Sequence, residues 1–159
     1  MRNIGIYALA PLAKSKEFGG GNGSKLTYFD DEPDKCYAPV NRMNLIKVYH
    51  SMNAINGIST MFTVLNSNIY QTYKHGGEGG DEADISLFPD ETIIGVEGST
   101  DGEWIREIKF ITQYLSNRTV RAHGPFGKAA KQPFSFYGNI FGFAGSFGNY
   151  LHSFSVYYC

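Results

Sequence analysis

Long hydrophobic runs are missing from this chain of 159 residues. No apolar stretch approaches the roughly 18 residues of a membrane-crossing helix, so no membrane span is expected. Charge is sparse: 14 Lys and Arg against 15 Asp and Glu give a net charge of −1, and no basic field awaits nucleic acid. Cysteine is scarce too. Cys36 and Cys159 sit in neither C-x-x-C nor Cys/His ligand spacing, so no metal or cofactor is expected. They could form one bridge, within or between chains, or stay as thiols. His50, His75, His123 and His152 are scattered without acid partners at motif spacing. Glu97 and Glu103 read as surface carboxylates, so the chain is not expected to be an enzyme. Met1 to Lys16 lacks a signal-peptide core and cleavage site. A cytoplasmic location follows if Met1 is the native start, an extracellular one if the chain is a mature product.

Helical periodicity is the last absence. In its place come short runs rich in Val, Ile, Phe, Tyr and Thr, such as "LIKVYH", "ISTMFTVL", "TIIGVEG", "EWIREIKFIT" and "YLHSFSVYY". Turn clusters separate them: "FGGGNGS", "HGGEGGDEAD", "FPDE", "GSTDGE", "LSNR" and "HGPFGK". About ten to twelve short strands at this spacing predict an all-β sandwich, barrel or prism. The length suits one domain. Residues 1–17 read as a strand-like N-terminal arm and 18–159 as the domain. Trp104, the only Trp, is expected in the core.

"FGGGNG" at 18–23 and "HGGEGG" at 75–80 are Gly-rich loops, each opening on a ring-bearing residue. Neither continues into Gly-Lys-Ser/Thr or opens a helix, so a phosphate loop is ruled out. "GSFGNYLHS", Gly145 to Ser153, is a polar turn between two alternating runs. Such a turn presents backbone donors and acceptors at a surface.

These stretches together resemble the jacalin-related lectin family. "GGGNGSKLTYFDD" is similar to its N-terminal segment and "PVNRMNLIKVYHS" to its first long strand. "HGGEGGDEADISLFPDETIIGVEGSTDG", "REIKFIT", "HGPFGK", "PFSF" and "NIFGFAGSFGNYLHSFSVYY" follow in order. The resemblance implies a β-prism of three four-stranded Greek-key sheets that binds carbohydrate at one end.

The family's Gly-x-x-x-Asp element falls on Gly148 to His152. The resemblance implies that the amides of Asn149 and Tyr150 bind hydroxyls while Leu151 enters the core. The Gly20, Gly21 and Gly23 loop faces them. Ser99 to Glu103, with Asp101, forms a third wall. The departure is His152, where the family has aspartate. A carboxylate accepts from two hydroxyls, whereas neutral imidazole offers one acceptor and one donor. The loss amounts to roughly tenfold to hundredfold in affinity. The chain is therefore read as a lectin for mannose- or glucose-type glycans. The alternative is a prism-fold protein-interaction module whose sugar binding is weakened or lost. Gly77, Asp81 and Asp84 form a possible second site, since "GGEGGD" and "GDEAD" repeat the Gly-x-x-x-Asp spacing. The galactose branch of the family is associated with chain cleavage at the first glycine loop. An embedded loop favours the mannose/glucose type. Homo- or hetero-oligomers are expected, with the arm free to add an edge strand to a partner. Asn22 and Asn117 fit the N-glycosylation pattern. A glycan is expected only at Asn117, and only in a secreted protein.

Overall fold

The computed structural model describes residues 11–20, 25–33, 41–64 and 68–159. Gly21, Asn22, Gly23 and Cys36 lie outside the described residues. The strands are β1 (Ala13–Lys14), β2 (Phe18–Gly19), β3 (Thr27–Asp30), β4 (Asn41–His50), β5 (Ile55–Val64), β6 (Asn68–Gln71) and β7 (His75–Gly76). They continue with β8 (Asp81–Ser86), β9 (Glu91–Thr100), β10 (Ile105–Tyr114), β11 (Val120–Gly127), β12 (Gln132–Phe147) and β13 (Leu151–Tyr158). Among the described residues there is no helix. The all-β fold expected from strand spacing is the one observed.

Hydrogen bonding joins the strands into two ladders. One runs β6-β5-β4-β8 with β7 on β5. The other runs β1-β13-β12-β9-β10-β11, with β2 on β13 and β3 on β12. The long β12 makes one ladder serve two faces. Its first part pairs with β9 up to Ile140 and its second with β13 from Ile140 onward, with a register slip between Tyr137 and Ile140. Three faces result: β8-β4-β5-β6, the first part of β12 with β9-β10-β11, and β3 with the second part of β12, β13 and the β1/β2 edge. The first two faces read as Greek keys in the spatial order 4-1-2-3. The third has the same order when counted from β12, with the chain's N-terminal strands closing the key.

Period-2 burial points each face inward. Ile46, Val48, Ile58 and Phe62 come from one face and Ile93, Val96, Ile108 and Phe110 from the next. Phe143, Leu151, Phe154 and Val156 come from the last. Phe110, Phe143 and Phe154 meet with ring centroids 5.0 to 6.4 Å apart, joining two faces through aromatic packing. Burial of each such side chain contributes about 1.5–3 kcal/mol.

Two local features differ from expectation or extend it. "HGPFGK", expected as a turn, is the end of β11. Phe126 and Gly127 still pair with Ile108 and Glu107 across a bulge, where Gly124 takes φ +102°. A bulge absorbs the extra residue without ending the strand, so Gly and Pro there do not stop pairing. The arm's Ala13 and Lys14 pair with Tyr158 and Tyr157 of the same chain, and the Ser15 amide donates to Val156 O at 2.8 Å. Cys159 is disulfide-bonded.

One end of the prism is closed by an ionic cluster. The Glu91 side chain has no exposed surface. It accepts from Arg121 Nε and Nη2 (2.8 Å each), Thr112 Oγ1 (2.5 Å) and the Phe88 amide (3.1 Å). Burial pushes its pKa up, but these donors outweigh burial and hold it below the usual value. Arg42 Nη2 reaches the carbonyls of Leu87 and Phe88 and ties down the same β8–β9 turn.

Candidate functional site

The other end gathers three turns. Gly19 and Gly20 close β2, Asp101 to Trp104 join β9 to β10, and Gly148 to Tyr150 join β12 to β13. The Gly20 amide donates to His152 O at 3.1 Å. A Cβ on Gly20 would stand 1.8 Å from Gly102 O, so only glycine lets these backbones meet. Gly20 thus touches both the Asp101 turn and the start of β13.

The β12–β13 turn is closed by the Gly148 amide donating to Tyr150 O at 3.0 Å. Among the described residues, no hydrogen bond uses the amides of Asn149 or Tyr150. Asn149 is exposed, whereas Leu151 is fully buried and anchors the turn in the core. Two adjacent donors are therefore left unspent on a turn whose position is fixed from below.

Asp101 organises its own turn. Its Oδ1 accepts from the amides of Glu103 (2.9 Å) and Trp104 (2.8 Å), and its Oδ2 from Arg106 Nε at 2.7 Å. Burial raises its pKa, but these donors prevail and bring it to about 2. The carboxylate is committed within the protein, so its contribution to the site is to shape the third wall.

Trp104, expected in the core, is only half-buried. Its ring packs on Tyr150 at 4.4 Å, and Arg106 lies over it, also at 4.4 Å. It props Tyr150 from behind. A strand-like run in sequence did not separate an inward ring from one at a strand start beside the turn.

His152 is also half-buried, with its ring edge-on to Trp104 at 6.2 Å. Burial lowers its pKa, against the upward pull of Glu103 and Asp101. The ring is therefore neutral at pH 7. Its Nδ1 is buried without a hydrogen-bond partner.

The Gly-rich loop at 75–80 abuts this turn. A Cβ on Gly77 would stand 2.3 Å from Asn149 O. Between them opens a cleft of about 640 Å3 lined by Asn56, Lys74, Gly76, Gly77, Glu78, Asn149 and Tyr150. Of the second-site residues, Gly77 lines this cleft. Asp81 and Asp84 stand exposed on β8, opposite His50 and Lys47, and do not line it. Asn56 was missed in sequence. It is 6% exposed and its Oδ1 has no partner. A lone Asn ahead of "GIST" carries no signal until β5 and β7 bring it under the glycine loop. Among the described residues, no three or more His, Cys, Asp or Glu gather as metal ligands.

A three-faced prism with glycine-tight turns and unspent backbone donors at one end defines a β-prism of the lectin kind. The chain belongs to the Jacalin-like lectin domain family, which matches residues 15–157. Members of this family bind carbohydrate and are not enzymes. The jacalin-related lectin Calsepa of Calystegia sepium is 29% identical over 134 residues, 76% of this chain and 84% of that protein. The structure of AcmJRL, a mannose-binding jacalin-related lectin from Ananas comosus, is similar with a TM-score of 0.73 and 28% identity. It covers 92% of this chain and 96% of its own. Wild-type Malaysian banana lectin aligns with a TM-score of 0.74 and 28% identity, covering 92% and 97%.

Proposed function

We propose that the chain binds mannose- or glucose-type glycans at the end where the three turns meet. The observation that carries this reading is the pair of unspent amides at Asn149 and Tyr150, held above buried Leu151. Two adjacent N–H donors suit vicinal sugar hydroxyls, and fixing them in the fold lowers the entropy cost of binding. Gly20 contributes the facing wall, Gly148 keeps the approach open, and His152 supplies a neutral ring where the family has a carboxylate. Asp101 acts through the turn it holds. The mannose-binding pineapple relative supports the choice of sugar. The cleft beside Gly77 is a second sugar contact, with Asn56 and Glu78 in place of Asp81 and Asp84. Calorimetric titration with methyl α-mannoside and methyl α-galactoside tests the reading. The mannoside is expected to bind and the galactoside not; equal binding, or galactoside alone, would overturn the specificity.

One observation favours the second reading, a prism module with weakened sugar binding. The His152 Nδ1 is buried and has no partner, so the ring offers a ligand less than a carboxylate would. Mannoside affinity below detection in the native chain, recovered in His152→Asp, would select that reading.

A further inference from the structure

Beyond Trp104, on the side away from the Gly77 cleft, lies a second depression of about 430 Å3. It is lined by Asn53, Asp101, Arg106, Lys128, Ala129, Ala130 and Lys131. Its charges are unequal. Asp101 is the only carboxylate in the lining. Its charge is matched by Arg106, and its oxygens are taken up by two amides and that guanidinium. Arg106 is itself committed, since its Nη1 donates to Asn53 O at 3.1 Å. Lys128 and Lys131 are both exposed and form no ion pair with any described residue. Two uncompensated ammonium groups are left in one cleft.

The turn that bears them is fixed. The Lys128 amide donates to Arg106 O at 3.0 Å and the Ala130 amide to Ser99 Oγ at 2.8 Å. Ser99 Oγ in turn donates to Glu107, whose carboxylate lies outside this cleft. Gly127 precedes the turn at φ +83°, where a Cβ would stand 2.0 Å from Arg106 O. The cleft is also coupled in space to the proposed sugar site. Arg106 lines it and lies 4.4 Å from the centre of the Trp104 ring, which in turn lies 4.4 Å from the Tyr150 ring. A glycan seated on the Asn149 and Tyr150 amides needs only a residue or two of further chain to reach the lysines.

We propose that this cleft is an extension site for acidic saccharides, in which Lys128 and Lys131 bind a carboxylate or sulfate borne further along a glycan held at the main site. The proposal rests on the sugar-binding reading above, and its test separates the two. Each exposed ion pair adds up to about fivefold in affinity, so two lysines give roughly three- to tenfold at low salt. That gain fades as ionic strength shortens the Debye length.

The test compares matched mannose-containing oligosaccharides that are neutral, uronate-bearing or sulfated, titrated at low and at near-physiological salt. The acidic forms are expected to bind three- to tenfold more tightly than the neutral form, with the advantage shrinking in salt. Which acid gains more identifies the group the cleft prefers. Lys128→Ala with Lys131→Ala should erase the advantage and leave neutral binding unchanged, and Lys128→Arg with Lys131→Arg should keep it. Equal affinity for neutral and acidic forms overturns the proposal, as does an advantage that survives the double alanine variant. Acidic forms that bind the native chain while the neutral form does not, with that binding lost in the double alanine variant, would support the cleft and sink the main-site reading instead.

Discussion

The two ends of the prism use polar groups in opposite ways. At the β8–β9 end, Glu91 is out of solvent and each of its oxygens is filled, by Arg121, Thr112 and the Phe88 amide. Arg42 Nε and Asn44 Oδ1 are the exceptions there, both buried without partners. At the β12–β13 end, the amides of Asn149 and Tyr150 are unspent, and Asn56 Oδ1 and His152 Nδ1 lack partners. Orphaned side-chain atoms occur at both ends, so the contrast lies in a carboxylate with both oxygens filled against two adjacent turn amides left open. The difference accords with the proposal that one end holds the fold together and the other receives the ligand. It also implies that stability and sugar binding can be broken separately.

The largest expected effect is at the closed end. Glu91→Ala strands Arg121 and the Phe88 turn and should cost about 3 kcal/mol of stability. Chemical denaturation measures the loss, and mannoside affinity in the folded variant should be unchanged. The same cluster sets an acid limit. The pKa of Glu91 is depressed in the fold, so its stabilisation is present above the ordinary carboxylate value and is lost as pH falls below about 4.5. Urea midpoints measured from pH 7 down to 3 should drop below that point in the native chain and much less in Glu91→Gln.

The second break is at the loop end. Gly20→Val drives a branched side chain into Gly102 O and separates two of the three turns. It should cost about 1–3 kcal/mol of stability and abolish sugar binding. An intact titration curve in that variant would move the site elsewhere. Next comes His152→Asp, which restores a two-oxygen acceptor. Mannoside affinity should rise about tenfold, roughly 1.4 kcal/mol, with little change in stability. A fall in affinity would make the imidazole itself a ligand contact. The smallest effect is at Gly148. A Cβ there meets only Leu26 at 3.5 Å and His152 Nε2 at 3.8 Å, and φ is not left-handed. Gly148→Ala should therefore stay within about 0.5 kcal/mol of the native chain, while Gly148→Trp should fold and lose sugar.

Much of this contrast could be read from residue order, and the reasons are local. Alternation in "TIIGVEG" and "EWIREIKFIT" reports a two-faced strand, and β9 and β10 lie over those segments. The "GSFGNYLHS" turn was legible because glycine and polar residues interrupt two apolar runs. The ionic cluster was not legible. Glu91 bonds Thr112 and Arg121, 21 and 30 positions away, and nothing in "FPDET" marks a carboxylate that strand pairing will bury. Asn56 and Trp104 were hidden for the same reason, since each takes its role from a loop distant in sequence. "HGPFGK" misled because a bulge and a turn share the same residue types.

The two unspent amides are the centre of the proposed sugar site. Titration of the 15N-labelled chain with methyl α-mannoside, followed through the backbone amide resonances, tests them directly. Asn149 and Tyr150 should show the largest shifts, saturating together with Gly148 and His152, while the amides around Glu91 stay in place. A saturable mannoside response that leaves Asn149 and Tyr150 unmoved would contradict the account.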